Sequence, residues 1–296
     1  MYYDDRTEVF LDGEWIKAKD AKASLFDQTL HYGTGVFDGL RSYNSGNGFN
    51  IFKPFEHFKR LHSSAEKVFL KVPYTVEELI KIAYELIDRN NLTNAYIRPL
   101  VFAGPNMILA PAKETHVFMT AWKWAKYPGF EPLNCMISSY LKPSPKSTPV
   151  DAKVVGNYSA NTLASAEAKK LGFDEAILLD HQGHISEGPG SNIFYEKDGE
   201  LFTPKEGNIL PGITRSTVMD ICKELKVKVT EKDITPEELY GADHAFFCGT
   251  ATEITHISSV NGEKFKKKWE DSVGYNIHMV YQQKVMFDEY QGLTIV

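Results

Sequence analysis

Lys153 is the residue whose surroundings most suggest chemistry. It stands among Val, Ala and Gly residues within Val150–Gly156, whereas other lysines cluster, as in Lys266–Lys268. An ammonium group among apolar neighbours is partly desolvated, which lowers the pKa of a lysine and frees its lone pair to attack a carbonyl carbon. From this stretch alone, a strand-end lysine that reaches solvent is the simpler interpretation. A catalytic role therefore needs support from elsewhere in the chain.

Arg98 is a second candidate, because arginine occurs at only six positions and Arg98 lies between Ile97 and Pro99-Leu100. A guanidinium group in an apolar strand can bind a carboxylate or phosphate through two parallel hydrogen bonds. It can equally form a buried structural ion pair. The sequence supports both interpretations to the same degree.

Two stretches are typical of anion-binding turns. In Leu210–Arg215, Pro and Gly form a tight turn before a helix whose first N–H groups would face a phosphate. Gly249–Ala251 offers a similar turn with a threonine hydroxyl. Either one alone is usually a capped helix or an ordinary turn. Together with Arg60 as a counter-charge, they indicate a bound phosphoester.

Glu187 precedes the Gly188–Gly190 triplet, where the backbone must fold tightly. Its carboxylate could cap backbone N–H groups or pair with a protonated ring nitrogen. The triplet lacks the third glycine and the following helix of a dinucleotide fingerprint. His181 and His184 flank a turn beside Asp180, where a solvated turn is the simpler interpretation than a metal site.

The periodic segments predict an α+β fold in two domains. We expect an N-terminal α/β domain at 1–126, a linker at 127–134 and a larger C-terminal domain at 135–296. Asp12-Gly13 predicts a hairpin, and Thr75–Glu78 a capping box. A helix from about 54 to 69 has an apolar stripe of Phe58, Leu61, Ala65, Val68 and Phe69.

Composition excludes several classes of protein. A net charge of −6 argues against nucleic acid as a partner. No apolar run approaches the roughly 18 residues that a membrane span needs, and the polar start does not resemble a secretory signal. Three widely spaced cysteines, Cys135, Cys222 and Cys248, predict reduced thiols in a cytoplasmic protein.

Taken together, the motifs resemble those of fold-type IV pyridoxal phosphate (PLP) enzymes, the class IV aminotransferases with the D-amino-acid-aminotransferase-like fold. Within this class they most resemble the branched-chain amino acid aminotransferases. Seven stretches occur in family order: His31–Arg41, Arg60–Ala65, Tyr96–Leu100, Ala152–Tyr158, Ser186–Asn192, Leu210–Arg215 and Gly249–Thr255.

The resemblance implies a role for each cofactor residue. Lys153 forms the imine with PLP and then moves the substrate's α-proton as general base. Glu187 keeps the pyridine nitrogen protonated, so that the ring withdraws electrons. Tyr158 contacts the phenolic oxygen. The phosphate-binding residues are Arg60, Gly212, Ile213, Thr214 and Thr250.

The same resemblance implies transamination between Leu, Ile or Val and 2-oxoglutarate by a ping-pong mechanism. Arg98 and Tyr96 take glutamate's distal carboxylate, and the backbone of Thr250 and Ala251 takes the α-carboxylate. Tyr32 and the Met107 loop reach the neighbouring subunit's site, which implies a homodimer or dimer-based oligomer. The implied substrate residues are Tyr32, Phe37, Gly39, Arg41, Tyr96, Arg98, Met107, Trp122, Trp124, Thr250 and Ala251.

Three departures from the family pattern bear on specificity. Asp38 replaces the usual Glu, Pro189 replaces a small residue, and the loop at Ile108 is short and bulky. The loop at Ile108 leaves open a D-amino-acid or amine transaminase, or an aminodeoxychorismate-lyase-like enzyme, whereas Arg98 favours the branched-chain aminotransferase. A cofactor-free binding protein is the third hypothesis, and the presence of Lys153 and Glu187 argues against it.

Overall fold

The computed structural model describes residues 2–46, 48–124 and 132–287. The chain divides into two compact units. Unit 1 comprises Met1–Ala125, Ala152–Gly156 and Val285–Val296, and unit 2 comprises Lys126–Asp151 and Asn157–Lys284. The mixed helices and sheets agree with the predicted α+β class. None of the helices in the described ranges is long and apolar enough to cross a membrane.

The described part of unit 1 contains a seven-stranded antiparallel sheet. Its strands are β1 (Glu8–Leu11), β2 (Glu14–Lys17), β3 (Val36–Phe37), β4 (Leu40–Asn44), β5 (Phe49–Ile51), β6 (Ala95–Ala103) and β7 (Thr115–Lys123). They lie in the order β2-β1-β7-β6-β4-β5, with β3 beside β6. Asp12 and Gly13 have positive φ angles of 50° and 97°, which suit the two-residue turn between β1 and β2.

Three helices accompany this sheet: α1 (Gln28–Tyr32), α2 (Pro54–Lys67) and α3 (Val76–Arg89). The Thr75 side chain accepts from Glu78 N–H while the Glu78 side chain accepts from Thr75 N–H, so the predicted capping box is confirmed. Phe58, Leu61 and Ala65 are fully buried, as the predicted stripe requires. Phe69 is instead 78% exposed, because the helix ends at Lys67 and Phe69 turns at a φ of 61°.

Unit 2 contains nine strands in its described part. They are β8 (Leu133–Leu141), β9 (Glu175–Leu179), β10 (Ile185–Glu187), β11 (Asn192–Lys197), β12 (Glu200–Pro204), β13 (Val229–Lys232), β14 (His244–Gly249), β15 (Glu253–Val260) and β16 (Glu263–Lys264). Their order in the sheet is β10-β9-β8-β15-β14-β11-β12-β13, with β16 beside β15. β8 pairs in parallel with β9 and β15, and β12 with β13, while the other pairs are antiparallel.

The remaining helices are α4 (Tyr158–Lys170), α5 (Ile213–Glu224), α6 (Pro236–Tyr240) and α7 (Val273–Phe287). The three cysteines of the chain are unpaired and buried, in agreement with the predicted thiols. Burial raises the pKa of Cys222 to about 12, so this thiol stays protonated and unreactive.

The division differs from the predicted domain boundaries of 1–126 and 135–296. Residues 152–156, which include Lys153, join unit 1. Of the predicted linker at 127–134, residues 127–131 lie outside the described residues. Leu133 and Asn134 are the first residues of β8.

Candidate active site

Lys153 is held by backbone bonds within unit 1. Its carbonyl accepts from Phe37 N–H at 3.1 Å, and Val155 N–H donates to the Gly35 carbonyl at 2.8 Å. The Lys153 N–H donates to the Ser64 hydroxyl on α2 at 3.0 Å. The segment therefore lies beside β3, with an isolated antiparallel bridge between Val36 and Val154. This pairing explains why it joins unit 1 although we expected it in the C-terminal domain. The side chain is half-buried.

Phe37 lies close to two cationic side chains. Lys153 Nζ lies 5.0 Å from the centre of the Phe37 ring, and the Arg98 guanidinium carbon lies 4.7 Å from it. Arg98 also donates to the Tyr96 hydroxyl at 3.2 Å. The sequence-predicted substrate residues Phe37, Tyr96 and Arg98 are thus neighbours of Lys153 in unit 1. No described residue forms a salt bridge with Arg98, so the structural ion pair is not supported.

Trp122 and Trp124 both pack on Tyr96. Their ring centres lie 5.1 and 5.3 Å from the Tyr96 ring centre. The two indole Nε1 atoms and Arg98 Nε are buried, and no described residue accepts a hydrogen bond from them. Buried donors are normally satisfied. The cluster therefore combines apolar ring surface with donors that a bound carboxylate could satisfy.

Gly39 is required by the same cluster. A Cβ atom at this position would lie 1.9 Å from the Tyr96 hydroxyl oxygen, so any side chain there would displace the tyrosine. Arg41 is also buried, and its guanidinium carbon lies 4.8 Å from the Tyr43 ring centre. Gly39 thus fixes the position of Tyr96, while Arg41 packs on a different ring.

The Asp38 centre, which we define as Asp38, His57 and Arg60, is a buried ion cluster in unit 1. Arg60 donates to both Asp38 oxygens, through Nε at 2.9 Å and Nη2 at 2.8 Å, and His57 Nδ1 lies 2.8 Å from Oδ1. Burial alone would raise the pKa of Asp38, but the Arg60 charge and these hydrogen bonds hold it well below its ordinary value. Burial lowers the pKa of His57, against the opposing effect of Asp38. Asp38 therefore stays anionic and fixes Arg60 by a two-point contact.

The Glu187 centre, which we define as Lys142, Glu187 and Asn192, lies in unit 2. Lys142 Nζ forms an ion pair with Glu187 Oε1, and both side chains are almost fully buried. Glu187 Oε2 accepts from Asn192 Nδ2 at 3.2 Å and from Leu210 N–H at 3.0 Å. Three donors from separate segments thus hold this carboxylate in one position.

The predicted anion cup at Gly212–Thr214 starts helix α5. Gly212 is the N-cap residue, and no side chain caps the helix. A Cβ atom at Gly212 would lie 2.0 Å from Asn192 Oδ1. Asn192 Nδ2 also donates to the Leu210 carbonyl at 2.9 Å. Asn192 therefore joins the Glu187 carboxylate to the turn that opens α5, whose N-terminal N–H groups suit an anion.

Thr250 and Ala251 lie in the tight turn between β14 and β15. Asn192 pairs with Cys248 in the β11–β14 ladder, so this turn lies at the same end of the unit 2 sheet as Asn192. The second predicted phosphate loop therefore lies near the first, within unit 2. Tyr158, in the same unit, is the first residue of α4.

Tyr32 and Met107 meet on the surface of unit 1. The Tyr32 hydroxyl donates to the Met107 carbonyl at 3.2 Å, and both residues are a little under half exposed. Their neighbours on the same surface are Leu25, Phe26, Leu30, Ile108 and Leu109, between 64% and 87% exposed. We call these five residues the apolar patch. Loop 105–110 and α1 are tied together by Gln28, which donates to the Ile108 and Ala110 carbonyls.

The turn that carries His181 and His184 is stabilised by hydrogen bonds to Asp180. Asp180 Oδ1 accepts from the N–H groups of Gln182 and His184, and Asn208 donates to Oδ2 at 2.7 Å. Within the described residues, no group of three His, Cys, Asp or Glu side chains could hold a metal ion.

Sequence reasoning missed three residues that hold the predicted ones. Lys142 precedes Pro143 at the end of a strand, where a lysine is usually solvated. His57 lies one helical turn before Arg60, which is the only sequence signal that could have drawn attention to it. Ser64 has no distinctive sequence context. The roles of all three depend on tertiary neighbours.

Comparisons with known proteins agree with this arrangement. The amino-transferase class IV family model matches residues 35–260. The branched-chain-amino-acid aminotransferase of Escherichia coli K12 is 42% identical over 262 residues, covering 86% of this chain and 85% of that protein.

Two solved structures are also closely similar. The Thermoproteus uzoniensis branched-chain aminotransferase with norvaline has a TM-score of 0.92 at 37% identity, covering 96% of each chain. The Thermobaculum terrenum branched-chain amino acid aminotransferase in its PLP form has a TM-score of 0.89 at 28% identity, covering 96% of this chain and 95% of that one. On this similarity, the chain belongs to the class IV aminotransferase family.

Proposed function

We propose that this chain is a PLP-dependent aminotransferase that exchanges amino groups between branched-chain L-amino acids (Leu, Ile, Val) and 2-oxoglutarate. The observation that carries this proposal is Arg98, which lies over Phe37 and Tyr96 near Lys153 without a carboxylate among the described residues. Aromatic surface suits a branched apolar side chain, while a guanidinium suits the distal carboxylate of glutamate. The relatives named as branched-chain aminotransferases support the same substrates.

The residues fit the cofactor. A phosphate suits the uncapped start of α5, and a protonated ring nitrogen suits a buried carboxylate such as Glu187. We assign the covalent attachment to Lys153, the ring nitrogen to Glu187 and the phenolic oxygen to Tyr158. The proposed phosphate-binding residues are Arg60, Gly212, Ile213, Thr214 and Thr250.

When bound, PLP supplies an electrophilic carbon and a ring that withdraws electrons from the substrate's α-carbon. The chain supplies the proton transfers. Lys153 Nζ is the proposed base that takes the α-proton, and the Ser64 and Phe37 contacts hold its backbone in one position. Glu187 stabilises a positive charge on the ring nitrogen through its own negative charge. Two half-reactions then convert one amino acid to a 2-oxo acid and one 2-oxo acid to an amino acid.

Substrate recognition follows from the Tyr96 cluster. Arg98 and Tyr96 are the proposed ligands of the glutamate distal carboxylate, and the N–H groups of Thr250 and Ala251 those of the α-carboxylate. The proposed set for the side chain is Tyr32, Phe37, Gly39, Arg41, Tyr96, Arg98, Met107, Trp122 and Trp124.

The apolar patch supports a homodimer or dimer-based oligomer, and the three unpaired cysteines support a cytoplasmic location. Five large apolar side chains on one surface are unusual for a monomer unless another molecule covers them. We propose that a second copy of this chain covers the patch, so that Tyr32 and Met107 lie at the interface. Sedimentation of the protein, with Leu109→Asp as the disrupting variant, tests this assignment.

A half-reaction panel tests the function. Purified holoenzyme is mixed with single L- and D-amino acids, and the absorbance of the bound cofactor is followed. We expect L-leucine, L-isoleucine, L-valine and L-glutamate to convert the cofactor, and D-amino acids and simple amines to leave it unchanged. Faster conversion by D-alanine or an amine would replace the proposal with the alternative transaminase that the bulky loop at Ile108 leaves open.

A further inference from the structure

Lys142 is a buried lysine that the proposed chemistry does not use. Its side chain is 5% exposed, and its one described side-chain partner is Glu187 Oε1. Its backbone N–H extends the β8–β9 ladder by donating to the Leu179 carbonyl at 2.8 Å, and Pro143 then ends the strand. Lys142 is therefore fixed at its backbone as well as at its ammonium group.

The sheet order explains why a long side chain is needed here. β9 lies between β8 and β10, so Lys142 and Glu187 stand on opposite sides of one strand. Two strand spacings amount to about 10 Å, which the Lys142 and Glu187 side chains can span only together. A short side chain at this position could not reach the carboxylate.

Stability alone does not account for this pair. A buried ion pair is often no more stabilising than apolar residues of the same volume, because both charges must be desolvated. The pair does, however, fix the position of the carboxylate. Together with the Asn192 and Leu210 donors, the Lys142 ammonium prevents its rotation.

The donors also leave a defined place for one more partner. A carboxylate offers about four lone-pair positions. Asn192 and Leu210 use two on Oε2, and within the described chain only Lys142 donates to Oε1. One position on Oε1 therefore remains for an N–H donor.

We propose that Lys142 is a positioning residue that holds the Glu187 carboxylate in place and directs Oε1 to the protonated ring nitrogen of PLP. This inference rests on the proposed function, because it assigns a partner to the residue that holds the ring. Lys142 itself contacts neither cofactor nor substrate in this account.

The test uses the wild type, Lys142→Met and Lys142→Arg. Each apoprotein is titrated with PLP, and ¹⁵N NMR of ring-labelled PLP reports whether the bound ring nitrogen carries a proton. For Lys142→Met we expect PLP binding to weaken about 10–100-fold, as for other residues that orient a ligating group, and the ring nitrogen to lose its proton at neutral pH. Lys142→Arg should retain both properties within about threefold, because arginine also forms charge-assisted hydrogen bonds.

Lys267→Met is the matched control. Lys267 pairs with Glu196, another buried carboxylate of unit 2, and lies outside the proposed site. Its loss should reduce stability but change neither the PLP affinity nor the nitrogen signal. If Lys142→Met does not fold, Lys142→Gln, which removes the charge and keeps a polar group, undergoes the same two measurements.

A wild-type nitrogen signal and PLP affinity in Lys142→Met or Lys142→Gln would overturn the inference and leave the proposed function standing. A wild type that binds no PLP would instead overturn the proposed function and the inference with it.

Discussion

The Asp38 centre and the Glu187 centre are both buried ion clusters, but the carboxylate has a different role in each. In the first it holds another side chain in place, and in the second it is itself held in place. At the Asp38 centre, both basic groups come from one helix, α2, and the acid fixes Arg60. At the Glu187 centre, the donors come from three segments and fix the acid itself. The immobilised group is Arg60 in the Asp38 centre and Glu187 in the Glu187 centre. We assign contact with the cofactor to these two immobilised groups. Which member of an ion pair is functional can thus be inferred from which member the surroundings immobilise.

The variant Glu187→Gln should show the largest effect and tests the proposed role of the Glu187 centre. It removes the charge that we assign to the ring nitrogen, so we expect the L-leucine half-reaction to slow about 10³-fold, equivalent to about 4 kcal/mol. Stopped-flow absorbance measures this rate. The double variant Lys142→Met, Glu187→Gln should regain stability, since no unpaired buried charge remains, without regaining rate. Recovery of the rate would show that Glu187 is only structural.

Asp38→Asn examines the other centre. It leaves Arg60 without its anionic partner, and breaking a buried pair costs about 3 kcal/mol or more in the free energy of unfolding. We also expect PLP affinity to fall about 10–100-fold, because Arg60 is no longer oriented. Urea unfolding and PLP titration measure these effects, and Asp38→Glu, the usual family residue, serves as control. A half-reaction rate at saturating PLP that falls as far as in Glu187→Gln would contradict the contrast between the centres.

The stability of the protein in acid should depend on His244, a buried histidine of unit 2 that belongs to neither centre. Burial, followed by nearby His256 and Lys267, lowers the pKa of His244 to about 4 from its ordinary value of 6.5. The unfolded chain therefore takes up this proton first as the pH falls, and the folded state loses stability between about pH 6.5 and 4. The loss from this group is up to about 3 kcal/mol. Urea unfolding across this range should show a smaller loss in His244→Phe, whereas an unchanged pH dependence would contradict the assignment.

Arg98→Ala tests the arginine that has no acidic partner among the described residues. Because its proposed partner is the distal carboxylate of the substrate, we expect kcat/KM for glutamate to fall about 10–100-fold, the value of one charged hydrogen bond. The value for leucine should change by less than about threefold, since the ring surface remains. Equal losses for both substrates in steady-state assays would show that Arg98 is structural.

The sequence predicted the elements whose causes are local. The Asp12-Gly13 turn and the Thr75–Glu78 capping box depend on residues within one turn, and both are confirmed. The α2 stripe was correct for its central residues and wrong for Phe69, because the helix stops two residues earlier and the next residues change direction.

The arrangement around the candidate site could be predicted only in part. Family motifs indicated Lys153, Glu187 and Arg60. They did not indicate that hydrogen bonds with the Gly33–Phe37 backbone join Lys153 to unit 1. Asp38 was expected to affect specificity, whereas its buried carboxylate contacts Arg60 and His57. No sequence pattern indicated a role for Lys142, because only the β8-β9-β10 strand order brings it to Glu187. Local patterns do not determine such long-range contacts.

The most direct test of the account is to locate the covalent cofactor. Holoenzyme is reduced with borohydride, digested, and analysed by mass spectrometry, with Lys153→Ala and the exposed neighbour variant Lys146→Ala in parallel. We predict a phosphopyridoxyl group on Lys153 in the wild type and in Lys146→Ala, and none in Lys153→Ala. A phosphopyridoxyl group on another lysine of the wild type would contradict the assignment of Lys153 as the catalytic residue.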